Sequence, residues 1–179
     1  MQVRAGRTRA QPVEHDTPPV AAEPAATVLS LPRRIPSSDP GVHSASFGWE
    51  PEQVAGARSW AWRVTGRAYD RAHPMMLALS ELHSNAIKHT VSGLPGGRVR
   101  IDITLLPQSV HLAVTDHGQR PEQPPTRPQP CASSVDDIDE AGRGLALIQA
   151  ISCAWGYYGT TGLPTTVWAL FDREPRRDG

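Results

Sequence analysis

The chain has 179 residues and carries 18 Lys and Arg against 18 Asp and Glu, so its formal net charge is zero. That length suits one domain with tails, and the balanced charge argues against an electropositive nucleic-acid surface. Cys131 and Cys153 are too few and too far apart for a zinc ribbon or a disulfide scaffold and fit a reducing cytoplasm. No apolar run approaches the ~20 residues needed to cross a bilayer. The N-terminal arginines lack an apolar stretch behind them, so neither a secretory leader nor a membrane partner is expected.

Residues 1–44 are rich in Pro, Ala, Arg and Ser and lack the apolar content that would offset ordering, which predicts a disordered arm. A folded domain is expected over 45–173, followed by a short tail at 174–179. Its first piece, Ser46-Phe47-Gly48-Trp49, reads as an edge strand. From Pro51 the spacing of Val54, Ala57, Ala61, Val64 and Ala68 predicts a helix with one buried stripe, flanked by Trp60 and Trp62. A second helix is expected from His73-Pro74 to about Thr90, with Met75, Leu79, Leu82 and Ala86 facing the core. Residues 92–97 are loop by composition.

Val99, Ile101, Ile103 and Leu105 alternate strictly, as do Val110, Leu112 and Val114; Pro107-Gln108 between them predicts an antiparallel hairpin. The stretch from Pro121 to about Glu140 is proline-rich, ends in an acidic run and shows no periodicity. A third helix is expected to open at Gly142-Arg143-Gly144, and two strands, Trp155–Tyr158 and Thr165–Phe171, close the domain. The resulting fold class is α+β: a two-layer sandwich with the helices on one face of a mixed, mostly antiparallel sheet.

Three motifs carry chemistry. On the second helix Glu81, Asn85 and Lys88 fall at i, i+4 and i+7 and share a face. A carboxamide oxygen can ligate Mg²⁺, an ammonium can meet phosphate, and a carboxylate can take a proton; the same three residues would also make an ordinary solvated face. Asp116-His117-Gly118 ends a hydrophobic strand, where an aspartate can accept from an exocyclic amine and a glycine lets a ring approach. A plain turn is the other reading of that tripeptide. Gly142-Arg143-Gly144-Leu145 stands at a helix start, where backbone N–H groups attract phosphate, although Gly-x-Gly also marks flexible loop ends. His73, His83 and His89 have neither a metal-ligand pattern nor the helical surroundings of a phosphoacceptor.

In order and spacing, these motifs resemble the GHKL (Bergerat-fold) ATP-binding domains. The likeness is greatest to the anti-sigma-factor serine/threonine kinases and their standalone actinobacterial relatives. It covers about Ser46 to Asp172. Glu81 to His89 resembles the N box, Asp116 and Gly118 the first glycine box, and Gly142 to Leu145 the second, while the proline-rich stretch takes the place of the ATP lid. The resemblance implies ATP and Mg²⁺ as cofactors, with Asn85 on the metal, Lys88 on phosphate and Asp116 and Gly118 at the adenine. Arg143 would clamp phosphate beside Gly142, Gly144 and Leu145, and a threonine of the closing strand, taken as Thr166, would complete the pocket. Glu81 would be the general base toward an incoming hydroxyl.

Two departures stand out. Arg120-Pro121 replaces the second glycine of the fuller Asp-x-Gly-x-Gly box, and Pro164 stands before the closing threonines, where relatives often have glycine. The implied function is that of a cytoplasmic anti-sigma factor and kinase. Its partners would be a sigma factor and a STAS-domain anti-anti-sigma protein that it phosphorylates. A non-catalytic nucleotide-gated binding module and a detached sensor-histidine-kinase catalytic domain are the alternatives. Relatives of this type often dimerise, which leaves a homodimer open.

Overall fold

A computed structural model of the chain describes residues 31–122, 128, 140–160 and 162–173. Most of the predicted arm and lid, the acidic run and the C-terminal tail lie outside these residues. The described elements are β1 (Arg33–Ile35), β2 (Val42–Gly48), α1 (Gln53–Thr65), α2 (Tyr69–His89), a 3₁₀ turn (Val91–Gly93), β3 (Arg98–Leu105), β4 (Ser109–Thr115), α3 (Glu140–Ile151), β5 (Ala154–Gly159) and β6 (Thr165–Asp172).

The strands form one sheet in the order β1-β2-β3-β4-β6-β5. Every described pairing is antiparallel rather than mixed. Alternation along each strand turns one set of side chains to the helices. Phe47 is opposite Val99, Ile101 opposite Val114 and Leu112 opposite Ala169, so register joins these residues into apolar rows. All six are buried and belong to the hydrophobic core. The helix layer closes over them. From α2 come Met75, Leu79, Leu82 and Ala86, from α1 Ala57 and Ala61, and from α3 Leu145 and Ile148. The two-layer α+β sandwich is therefore as the sequence predicts.

Three boundaries differ from expectation. Part of the expected arm is strand: β1 pairs with β2 through Arg33 opposite Ser46 and Ile35 opposite Ser44, so β2 is not an edge. The signal was hidden because Ser44 and Ser46 break the apolar run. On the face away from the helices Ser44 donates to Asp102, and Arg98 Nε donates to Ser46 Oγ (2.7 Å). Next, α1 stops at Gly66, whose φ of +60° gives a left-handed cap, so Ala68 belongs to the start of α2 instead. Finally, α2 begins at Tyr69 with Pro74 inside it. The proline removes one helical hydrogen bond. Buried Ala72 and the edge-on contact of Tyr69 with Trp62 (6.1 Å) hold the turn before it.

His83 is the anomaly of the core. It is fully buried on α2, tilted against Phe47 (5.9 Å), and neither ring nitrogen has a hydrogen-bond partner among the described residues. Burial lowers its pKa to about 4. In the unfolded chain the ring takes its proton near pH ~6.5, whereas the fold refuses it until well below that. Stability therefore falls as pH drops through this window. Between pH ~7 and ~5, His83 alone is expected to remove about 2 kcal/mol. Urea midpoints at the two pH values should diverge by that much more for the natural chain than for His83→Leu. An equal acid loss in both would refute the assignment.

Candidate functional site

Asp116 follows the last residue of β4 and ties it to the start of β6. Its N–H donates to Thr165 O (3.0 Å), while its Oδ1 accepts from Gly118 N–H (2.6 Å) and Thr165 N–H (3.2 Å). Both donors fall on Oδ1, so Oδ2 retains its acceptor capacity. Burial pushes the carboxyl above its usual range, opposed by those two N–H groups and by His117. Gly118 cannot readily be anything else. Its φ is +92°, and a Cβ there would lie 2.9 Å from Gly162 O.

The end of α2 grips this turn from the other side. Thr90 Oγ1 donates to Ala86 O (2.6 Å) and accepts Ser92 N–H (3.1 Å), which turns the chain into the 3₁₀ segment. From there fully buried Ser92 accepts His117 N–H (2.9 Å), and Val91 N–H donates to Gly118 O (2.9 Å). Arg120 completes the grip, donating from Nε to Thr90 O (3.1 Å) and from Nη2 to Ile87 O (3.0 Å). A guanidinium there satisfies helix-end carbonyls and opposes the negative end of the helix dipole. Thus Arg120, where the fuller motif has glycine, acts as a brace on α2.

A second cluster forms where α3 crosses α2. A Cβ built on Gly144 would lie 2.9 Å from Glu81 Oε2 and 3.4 Å from Asn85 Nδ2, so any larger residue would have to displace the Glu81 carboxylate. Glu81 and Asn85 are half-buried, and Lys88, further along the same face, is exposed. Gly142 lies within the first turn of α3, which opens at Glu140, two residues earlier than expected. Arg143 is exposed. Leu145, expected beside nucleotide, instead puts its side chain into the core at 7 % exposure.

One assignment needs correction. Thr166 is buried, and its Oγ1 shares a hydrogen bond with Thr115 Oγ1 (2.8 Å) across the β4–β6 pair. Neighbouring strand residues face opposite ways, and it is Thr165 that meets Asp116 through the two backbone bonds above. The strand pattern held the signal for this. Val167, Ala169 and Phe171 share a side, and Thr165 continues that series. Ser92 and Arg120 were missed as well; a Thr-x-Ser pair just past a helix end was the available sign of a hydroxyl-built turn.

The two clusters sit along one helix: the Asp116 turn at the C-terminal end of α2, Glu81 and Asn85 within it. The first presents a carboxylate acceptor beside a residue lacking Cβ, which suits an amine on a flat ring. The second presents polar side chains beside a glycine in the first turns of a helix, which suits an anionic group. The donor set therefore fits a nucleotide.

The family described as "Histidine kinase-like ATPase domain" matches residues 47–169. Among curated proteins, the chain is similar to an anti-sigma F factor of Anoxybacillus flavithermus. The two are 26% identical over 98 residues, which is 55% of this chain and 67% of the relative. It is also similar to the serine-protein kinase RsbW of Bacillus pumilus, at 25% identity over 61% of this chain and 71% of that one. A kinase of the same name from Bacillus licheniformis is 24% identical over 64% and 74% of the two chains. The matched span runs from β2 into β6 and takes in both clusters, and on that ground the chain belongs to the histidine kinase-like ATPase domain family, whose nucleotide is ATP.

Proposed function

We propose that this chain is an anti-sigma factor of the serine/threonine kinase type, which holds a sigma factor and phosphorylates a STAS-domain antagonist on a hydroxyl. The observation that carries this reading is the pairing of two features on α2. A braced carboxylate, Asp116, stands at one end, and Glu81 lies within Cβ reach of Gly144 further back. The names of the curated relatives support the regulatory and kinase parts. No helix among the described residues is long and apolar enough to cross a membrane; a cytoplasmic location is part of the proposal. Assembly as a homodimer belongs to the same reading.

Asp116 receives the adenine amine on its open oxygen, and Gly118 gives the ring its room. Thr165, rather than Thr166, fixes the carboxylate. Asn85 suits Mg²⁺ as one protein oxygen, because that ion keeps water and phosphate for most of its shell. No cluster of three or more His, Cys, Asp or Glu among the described residues offers it an all-protein cage. Bound MgATP supplies the electrophilic phosphoryl group. Lys88 and Arg143 add positive charge at that end, and Glu81 accepts the proton of the incoming hydroxyl. A carboxylate is a weak base for an alcohol, so positioning provides most of the rate.

One observation favours the rival, a nucleotide-gated binding module without phosphotransfer: Arg120 stands where the fuller Asp-x-Gly-x-Gly motif has its second glycine. Glu81→Gln separates the two. The kinase reading expects phosphate transfer from ATP to a STAS-domain protein to fall about 10²- to 10⁴-fold, with ATP affinity unchanged. Absence of transfer in the natural chain would leave the module.

The nucleotide assignment is tested by melting. ATP with Mg²⁺ at about 100 times its dissociation constant should add about 2.7 kcal/mol, which is on the order of 10 °C for a domain of this size. Asp116→Asn, which sets an amide against the amine, should abolish most of that shift; retention of the full shift would sink the adenine assignment. Gly118→Ala should cost about 1–3 kcal/mol in urea unfolding even without nucleotide, because alanine is strained at this φ. A change below a few tenths would show that the turn can relax.

A further inference from the structure

The far end of α2 carries a site of different chemistry. A cavity of about 840 Å³ opens where the α1–α2 junction meets the β3–β4 turn and the end of β6. Its lining includes three arginines, Arg67, Arg71 and Arg173, and one carboxylate, Asp172. Arg67 Nη1 donates to Asp172 O (3.1 Å) and Arg173 Nη1 to Leu106 O (3.0 Å). Those bonds hold the Arg67 and Arg173 side chains in place. The Arg71 side chain has no hydrogen bond or ion pair among the described residues. The cleft therefore gathers three guanidinium groups, two of them anchored, and guanidinium is the side chain best suited to carboxylate and phosphate forks.

The lining holds no large apolar side chain, unlike the walls of most small-molecule sites. The apolar component lies beside the cleft. Trp62 is 43 % exposed and Tyr69 56 %, and their rings meet edge to face at 6.1 Å. Trp62 is pinned there by its Nε1–H, which donates to Arg67 O (2.9 Å). Exposed Trp, Tyr and Arg in one patch is the composition of protein-binding hot spots.

We infer that this corner is a docking site for an acidic segment of a partner protein. Its carboxylates enter the arginine cleft and a neighbouring apolar side chain lies on the Trp62–Tyr69 pair. Arg71 and Asn85 are fourteen residues apart on one helix, or about 21 Å at ~1.5 Å per residue. The site thus stands clear of the nucleotide clusters, and its existence does not rest on the kinase reading.

The test uses the full chain, ¹⁵N-labelled, titrated with a synthetic peptide of repeated Glu-Glu-Leu units. A matched Gln-Gln-Leu peptide and inorganic phosphate serve as the comparison probes. The expected result is saturable shifts of the Trp62 indole N–H and of the amides of Tyr69 and Arg71 with the Glu peptide. The Gln peptide should give none. R71E/R173E should weaken binding at least tenfold while the ATP-dependent melting shift stays intact. R71Q, which removes one charge and no hydrogen bond, should weaken it severalfold and guards against misfolding of the double variant. Equal binding by the variants, equal binding of the Gln peptide, or no saturable shift would each overturn the docking site. Phosphate alone producing the same shifts and displacing the peptide would overturn it too, in favour of a small-anion site.

Discussion

Everything at the C-terminal end of α2 depends on one grip: the turn Asp116–Gly118 held between the close of α2 and the start of β6. The turn has four backbone groups engaged. Asp116 N–H and Gly118 N–H are taken up at β6 and at the Asp116 side chain, while His117 N–H and Gly118 O are taken up by Ser92 and Val91. Such a turn has little freedom to rotate its carboxylate. That matters because burial pushes the carboxyl's pKa up, toward the form that donates rather than accepts. The N–H groups of Gly118 and Thr165 oppose that push while they fix the carboxylate's orientation.

The replacement of a motif glycine by Arg120 takes on a different meaning in this light. A second glycine would loosen the chain where it leaves the turn. Arg120 instead sends its guanidinium back to the carbonyls of Ile87 and Thr90, where the helix has run out of its own donors. The departure from the family pattern stiffens the Asp116 turn and leaves the carboxylate, the glycine and their partners in place.

Much of this was readable from residues alone, and the boundary of what was readable has physical causes. Strict alternation in β3 and β4 and the apolar stripe of α2 each depend on burial of one face, and burial is what hydrophobic spacing reports. Strand β1 buries little, so Arg33–Ile35 left no such trace and passed for part of an arm. The choice between Thr165 and Thr166 turned on a single residue of register, which flips every side chain in a strand. Arg120 and Ser92 act through backbone atoms of residues some 25 to 33 positions away, a relation that no local pattern encodes. His83 looked like one more polar residue on an amphipathic helix, yet it faces the core.

The two halves of the site differ in how firmly they are built. The Asp116 end, where the proposal puts the adenine, is fixed by hydrogen bonds from three directions. At the other end, the lack of a Cβ at Gly144 keeps α3 clear of Glu81 Oε2 and Asn85 Nδ2, and α3 is secured further along by Leu145 and Ile148 in the core. On the proposed reading, the adenine meets a preformed cradle, while the phosphates meet the gap that residue 144 leaves open beside Glu81 and Asn85. The absence of a side chain at residue 144 is then what keeps room beside the proposed proton acceptor, so the same glycine serves both the anion and the base.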